Sequence, residues 1–250
     1  CIRDSIAADS KYWLWINGRM VVFEGGLKRG PSPYDTYYDS VEIAPYLTSG
    51  ENTIAVLVWH FGKNGFSHVN SGLAALLFEA IAPGIEIVSD KSWSCRVYDA
   101  YQNTGAPYPN YRLSESNIRF DARMEMSGWN QPGYTGKMPN AEIISSVGVA
   151  PLGKLVERPV PLWKDYGLKP YVSVRRSSAG DTLYCRLPYN SQVTPYLKVE
   201  APAGKVIHIR TDNYEGGSQY NVRAEYVTRD GVQEYESLGW MNGHEMQYIL

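Results

Sequence analysis

The sequence predicts an all-β chain of two consecutive antiparallel, jelly-roll-like β-sandwich domains. Three observations carry this. Composition is the first: 20 Tyr and 7 Trp accompany 23 Gly and 15 Pro, and aromatics mixed with turn formers suit many short strands. Second, residues 9–59 read as strands punctuated by an Asn-Gly turn. Third, the C-terminal third alternates apolar and polar residues at period two, the mark of a sheet with one wet face. The length of 250 residues is ample for two cores.

In order, Cys1–Ala7 reads as a strand. The aromatic run through Tyr12-Trp13-Leu14-Trp15-Ile16 is the next, and Asn17-Gly18 turns it into a return strand over Arg19–Phe23. Both central residues of a type I′ turn need positive φ, which Asn and Gly tolerate best. Tyr37–Ile43 is a further strand, followed by a turn-rich connection over 44–52. Thr53–Trp59 is apolar on both faces, as a central strand would be. Residues 60–72, with their Gly, His and Phe, form a loop. Leu73–Ala80 and Ile85–Val88 are strands, and Arg96–Ala100 is a candidate strand.

Tyr101–Ser116 is aromatic, Pro-rich and Asn-rich. Its prolines forbid a helix interior or a central ladder, and a loop of this length suits a functional role. Asn117–Arg123 alternates as a strand, and Trp129 with Ala141–Val147 closes the first sandwich. The expected domains are 1–154, a connector over 155–170 stiffened by Pro159, Pro161 and Pro170, and 171–250. In the last, Leu197, Val199, Ile207, Ile209, Val222, Ala224 and Tyr226 alternate with polar residues, and Arg229-Asp230-Gly231 is a hairpin turn. The chain ends on the strand-like Glu245–Leu250, so the second sandwich is expected to be incomplete and the chain to be part of a longer polypeptide.

Several stretches resemble a known family. "ADSKYWLWING" (8–18) and "YYDSVEIAPYLTSGENTIAVLVW" (37–59) are similar to the galactose-binding-like module that precedes the catalytic domain in bacterial α-L-rhamnosidases of glycoside hydrolase family 78. Asp90-Lys91-Ser92-Trp93 resembles a signature of such modules in which the Trp plugs one end of the core. "YRLSESNIRFDAR" (111–123) and "LPYNSQVTPYLKVEAPAG" (187–204) extend the resemblance. It implies a non-catalytic, N-terminal portion of a glycosidase acting on terminal rhamnose, with the catalytic carboxylates in a helical barrel further along the polypeptide. It also implies a secreted or periplasmic bacterial enzyme. A free carbohydrate-binding module, or accessory domains of a β-galactosidase-type enzyme, are the alternatives.

The residues themselves mark no catalytic group. Glycoside hydrolysis uses two carboxylates flanking the scissile bond, and no spacing among the 26 Asp and Glu singles out a pair. No nucleophile elbow, P-loop or zinc pattern occurs. No cofactor is implied, although a structural calcium at Asp212-Asn213-Tyr214-Glu215 stays open beside the alternative of an Asx-turn. The net charge of −2 argues against nucleic acid as a partner, and no apolar run reaches the ~20 residues of a membrane span. Cys1, Cys95 and Cys185 form no disulfide framework and read as buried thiols. Carbohydrate, specifically rhamnose-containing glycan, is the expected partner. Its candidate contacts are Tyr108, Asn110, Tyr111 and Arg112 in one loop, and His60 and His68 in another. The competing reading is that these loops pack and brace neighbouring domains.

Overall fold

The structure, a computed structural model, describes residues 3–26, 32, 34–65, 68–82, 84–105, 117–150, 152–214 and 222–250. Its strands are β1 (Arg3–Asp9), β2 (Lys11–Ile16), β3 (Arg19–Gly26), β4 (Thr36–Glu42), β5 (Ile54–Trp59), β6 (Ala75–Ala82), β7 (Ile85–Val88), β8 (Tyr101–Asn103) and β9 (Ile118–Asp121). They continue with β10 (Leu155–Glu157), β11 (Ser173–Arg176), β12 (Thr182–Val193), β13 (Tyr196–Ala201), β14 (Val206–Thr211), β15 (Ala224–Val227), β16 (Gly231–Glu236) and β17 (Met241–Ile249). Helix is confined to short 3-10 turns among the described residues.

The chain divides into two compact units that are not the linear halves expected. One comprises Cys1–Val97 with Ser127–Lys164, the other Tyr98–Met126 with Asp165–Leu250. The physical reason is strand pairing. β9 runs parallel to β15 through Glu225–Arg119, Tyr226–Phe120 and Val227–Asp121, and β8 pairs antiparallel with β9. Thus Asn117–Arg123 does contain a strand, but the strand completes the second sheet system. Conversely, Leu155–Glu157 is not free connector: it runs parallel to β4, and Arg158 forms an ion pair with buried Asp39 at 2.5 Å.

The first unit packs a five-stranded sheet, in the order β10-β4-β1-β6-β7, with a three-stranded sheet, β3-β2-β5. Ile6, Ala8, Tyr12, Leu14, Ile16, Val22, Ile43 and Phe78 fill the space between them. The Asn-Gly turn forms as predicted, with φ of 51° at Asn17 and 78° at Gly18 and Ile16 opposite Arg19. Asn17 also fixes the neighbouring connection: its side-chain amide donates to Asn52 Oδ1 and to the Tyr46 carbonyl, while its Oδ1 accepts from Thr53 N. The central strand of this sheet is β2, not β5, which stands at one end of the order and is mostly half-buried. At Gly25 a Cβ would lie 2.3 Å from the Tyr12 ring, so β3 crosses that ring where only glycine fits. Trp93 packs against Phe78 and donates from Nε1 to the Val88 carbonyl, and Trp129 meets Trp15 edge-on at 5.3 Å. Ala141–Val147 forms no strand. Only the bridge Ser94–Asn140 beside it pairs, and Ile143, Ile144 and Val147 are exposed.

The second unit packs a seven-stranded sheet, β11-β12-β17-β14-β15-β9-β8, with the two-stranded sheet β13-β16. Phe120, Tyr226 and Tyr235 stack at its centre, with Phe120–Tyr235 centroids 4.9 Å apart and Tyr226–Tyr235 centroids 4.8 Å apart. These rings explain why Arg229-Asp230-Gly231 does not close a hairpin. β15 pairs with β14 and β9 while β16 pairs with β13, so the turn carries the chain from one sheet to the other and sets Tyr226 against Tyr235. β17 lies between β12 and β14. Arg96–Ala100 is not a strand: 96–98 are irregular and a turn follows at Asp99 and Ala100. Cys185 is buried, with its thiol pushed up to about 11 by burial, but Cys95 is exposed, contrary to expectation; Cys1 is outside the described residues.

Candidate functional site

Two polar clusters stand out, one in each unit. In the first unit the junction of β1 and β2, the end of β3 and the end of β5 converge. Lys11 is fully buried and pairs with Glu24 at 3.0 Å. Its ammonium lies 5.5 Å from the Trp59 ring centroid and 5.6 Å from that of Phe61, so the charge is held by one carboxylate and two ring faces. Beside it, Asp9 accepts from Ser10 Oγ and from Ser71 N, and Ser10 Oγ accepts from Phe61 N. These bonds tie the 60–72 loop to the end of the sheet.

The two histidines predicted as sugar contacts occupy this loop but face different tasks. His68 is buried, its Nε2 donating to the Lys63 carbonyl at 2.6 Å and its ring meeting Phe61 edge-on at 4.3 Å. It holds the loop in shape. His60 is partly exposed, with Nδ1 3.7 Å from Asp9 Oδ1 and no hydrogen bond at that nitrogen. Of the two, His60 is the one with a ring edge open to solvent. Trp13, Trp59, Phe61 and His68 form a continuous ladder of rings, which is packing rather than an open platform.

The other predicted contacts, Tyr108, Asn110, Tyr111 and Arg112, lie outside the described residues. The two ends of that stretch are described and lead into the second cluster. Asn117 Oδ1 accepts from Arg223 N, and Arg223 Nη2 donates to the Gly105 carbonyl. Arg223 and Arg119 both bond the buried Glu225 carboxylate, at 2.7 and 2.9 Å, and His208 Nδ1 stands 3.5 Å from it. Burial alone would raise the Glu225 carboxyl. Hydrogen bonds from His208 and Arg119 and the charge of Arg223 outweigh it and hold the group at about 2. A carboxylate so fully engaged is an anchor for cations, not a proton donor.

Sequence reading did not single out Lys11 or the Glu225 cluster. Arg119 and Glu225 are 106 positions apart and meet only because β9 pairs with β15. The available signal was the alternation that put His208, Arg223 and Glu225 on one face; that face was expected to be wet, whereas Arg223 and Glu225 are buried. At the calcium candidate, Asp212 Oδ1 accepts from His244 N and Glu245 N of β17, a long-range tie and not an Asx-turn; residues 215–217 are outside the described set. Among the described residues no three His, Cys, Asp or Glu side chains are grouped for a metal.

No protein-family profile matches the chain, and no curated protein matches it. Solved structures do. An α-L-rhamnosidase from Dictyoglumus thermophilum matches 99% of the chain with a TM-score of 0.74 at 20% identity, over 28% of its own length. A family 78 rhamnosidase of Bacillus sp. GL1 matches 99% with a TM-score of 0.75 at 15% identity, over 49% of its length. A Streptomyces avermitilis α-L-rhamnosidase, solved in complex with L-rhamnose, matches 99% with a TM-score of 0.70 at 18% identity, over 25% of its length. The fold is therefore that of the β-sandwich part of α-L-rhamnosidases, as the residue resemblance implies, and the chain spans between a quarter and a half of those proteins.

Proposed function

We propose that the chain is a non-catalytic, N-terminal portion of an α-L-rhamnosidase-type glycoside hydrolase, which supports a catalytic domain elsewhere in the same polypeptide and contacts rhamnose-containing glycan. One observation carries this reading: both units together, over 99% of the chain, match a minor share of each α-L-rhamnosidase. The engaged state of Glu225 is in keeping with it, since the most perturbed carboxylate in the second unit has no proton to give.

Secretion or periplasmic location of a bacterial parent belongs to the same proposal. No helix among the described residues is long and apolar enough to cross a membrane. The sugar contacts in this reading are Tyr108, Asn110, Tyr111 and Arg112, together with His60 at the other loop; His68 serves them only by holding that loop. In this reading the 250-residue chain does not hydrolyse aryl α-L-rhamnosides, because the general acid and the nucleophile or base belong to the catalytic domain elsewhere in the polypeptide. Turnover by the purified chain that disappears on mutating one of its own carboxylates would overturn the non-catalytic reading.

A further inference from the structure

β12 departs from regular pairing where it runs beside β17. Arg186 lies opposite Glu245 and Ser191 opposite Gly243, so Leu187, Pro188, Tyr189 and Asn190 stand where β17 offers only His244. A bulge gives up ladder pairing and re-aims the side chains within it. Here it leaves Tyr189 and Asn190 in solvent, Tyr189 at 71% exposure. Ser191 Oγ donates to the Tyr189 carbonyl at 3.1 Å, a short tie within the bulge.

On the other side of β17, β14 ends at Thr211 and a 3-10 turn begins with Asp212 and Asn213. Asn213 Nδ2 donates to Asn190 Oδ1 at 3.3 Å. β17 lies between β12 and β14, so this bond links strands two intervals apart, about 10 Å of sheet. Gly243 lets the turn close on β17: a Cβ there would lie 2.6 Å from Thr211 Cβ and 2.7 Å from Asp212 Oδ1. Asp212 Oδ1 is held by His244 N at 2.8 Å and Glu245 N at 3.0 Å, and Oδ2 stands 3.5 Å from His244 Nδ1.

The His244 side chain is itself 63% exposed, and Asn213 is exposed beside it. A carboxylate at Nδ1 keeps the ring proton on that nitrogen and leaves Nε2 as an acceptor. The Asn213–Asn190 bond leaves both N–H groups of Asn190 to donate and Oδ1 of Asn213 to accept. Neutral donors, neutral acceptors and one aromatic ring are thus gathered in solvent from three adjacent strands. Asp212, the acid among them, is engaged by β17. A ligand with several hydroxyls and an apolar ring face matches that set.

We propose that Tyr189, Asn190, Asn213 and His244 form a contact site for a neutral sugar unit, with Asp212 as the positioning residue of His244. The choice of sugar rests on the glycoside-hydrolase reading; the place of the site does not.

The test is NMR titration of the chain with L-rhamnose, with D-glucuronate and glycerol in parallel. L-Rhamnose should bind with a Kd on the order of 1 mM, as a small ligand on an open site would, and more tightly than either control. Tyr189→Ala and Asn190→Ala should each weaken it about five- to tenfold with Tm nearly unchanged, since both side chains are exposed. Asp212→Asn keeps the shape but sets an amide donor against Nδ1, so the His244 proton should move to Nε2 in imidazole 15N spectra, with affinity lowered. No binding of L-rhamnose, equal binding of glycerol, tighter binding of D-glucuronate, or an unmoved His244 proton would overturn the proposal. Binding lost in His60→Ala or Arg112→Ala but kept in Tyr189→Ala and Asn190→Ala would also overturn it, while leaving the sugar contacts of the proposed function standing.

Discussion

Asp4 is a carboxylate inside the first sandwich core, and replacing it with asparagine should make the protein's stability less dependent on pH. Asp4 lies on β1 between Val41 of β4 and Ala80 of β6, on the side of the strand that also carries Ile6 and Ala8 into the core. It is 0% exposed, and no side chain among the described residues hydrogen-bonds either carboxylate oxygen. Burial raises its pKa from 3.8 to about 6, with a partial offset from the Ile43 backbone amide. The folded state therefore holds this proton more tightly than the unfolded state. The contribution of Asp4 to stability is greatest below pH 4, falls as the pH rises through about 6, and levels off above about 7. Two pKa units correspond to about 3 kcal/mol of stability lost across that window. Asp4→Asn has nearly the same shape and cannot ionise, so its advantage over the wild type should grow by about 2–3 kcal/mol between pH 4 and pH 7.5. Urea unfolding followed by tryptophan fluorescence is the assay. Six of the seven Trp (Trp13, Trp15, Trp59, Trp93, Trp129 and Trp163) belong to the first unit, so the signal reports the unit that contains Asp4. Parallel stability curves for the two proteins from pH 4 to pH 7.5 would refute the reasoning.

Three further outcomes are expected. Glu225→Gln should destabilise the second unit by roughly 3–5 kcal/mol at neutral pH, since it leaves Arg223 buried without its anion. The wild-type contribution, from a carboxyl lowered to about 2, should be intact above pH 4.5 and fade as the pH falls toward 2, which acid titration of the two proteins would show. Glu24→Leu should cost about 3–5 kcal/mol by leaving Lys11 buried and unpaired, whereas Lys11→Met with Glu24→Leu should recover most of the loss in thermal melts. Phe120→Ala should cost roughly 3–5 kcal/mol and lower amide-exchange protection in β14, β15 and β17 while leaving β1 and β6 protected.

Local chemistry was legible in the sequence and long-range pairing was not. Asn17-Gly18 specifies its own backbone, and the alternation through Ile207–Arg210 specifies which face is wet, because both depend on neighbouring residues only. The strand at Ile118–Asp121 was equally readable, yet its membership was not. Nothing within that segment records that its parallel partner is β15, more than a hundred residues on. The Arg229-Asp230-Gly231 turn was misassigned for the same reason. A hairpin and a sheet-to-sheet crossing use the same turn residues, and the difference lies in whether Tyr226 and Tyr235 stand side by side in one sheet or face each other across a core.

The candidate sites follow the same division. The histidines of the 60–72 loop were found by type, because His and Phe are rare here and fall together, but type could not separate their roles. That separation comes from one hydrogen bond: His68 Nε2 to the Lys63 carbonyl closes a short loop on itself and spends the ring on structure, while His60 stays at the rim beside Asp9. The row of arginines across the seven-stranded sheet was invisible for the opposite reason. Each arginine follows an apolar neighbour in its own strand, Arg175 and Arg186 exposed and Arg119 and Arg210 half-buried, and the net charge of −2 conceals them. Only the sheet order lines up Arg119, Arg210, Arg186 and Arg175 across one sheet, so the row belongs to the fold and to no segment of the sequence.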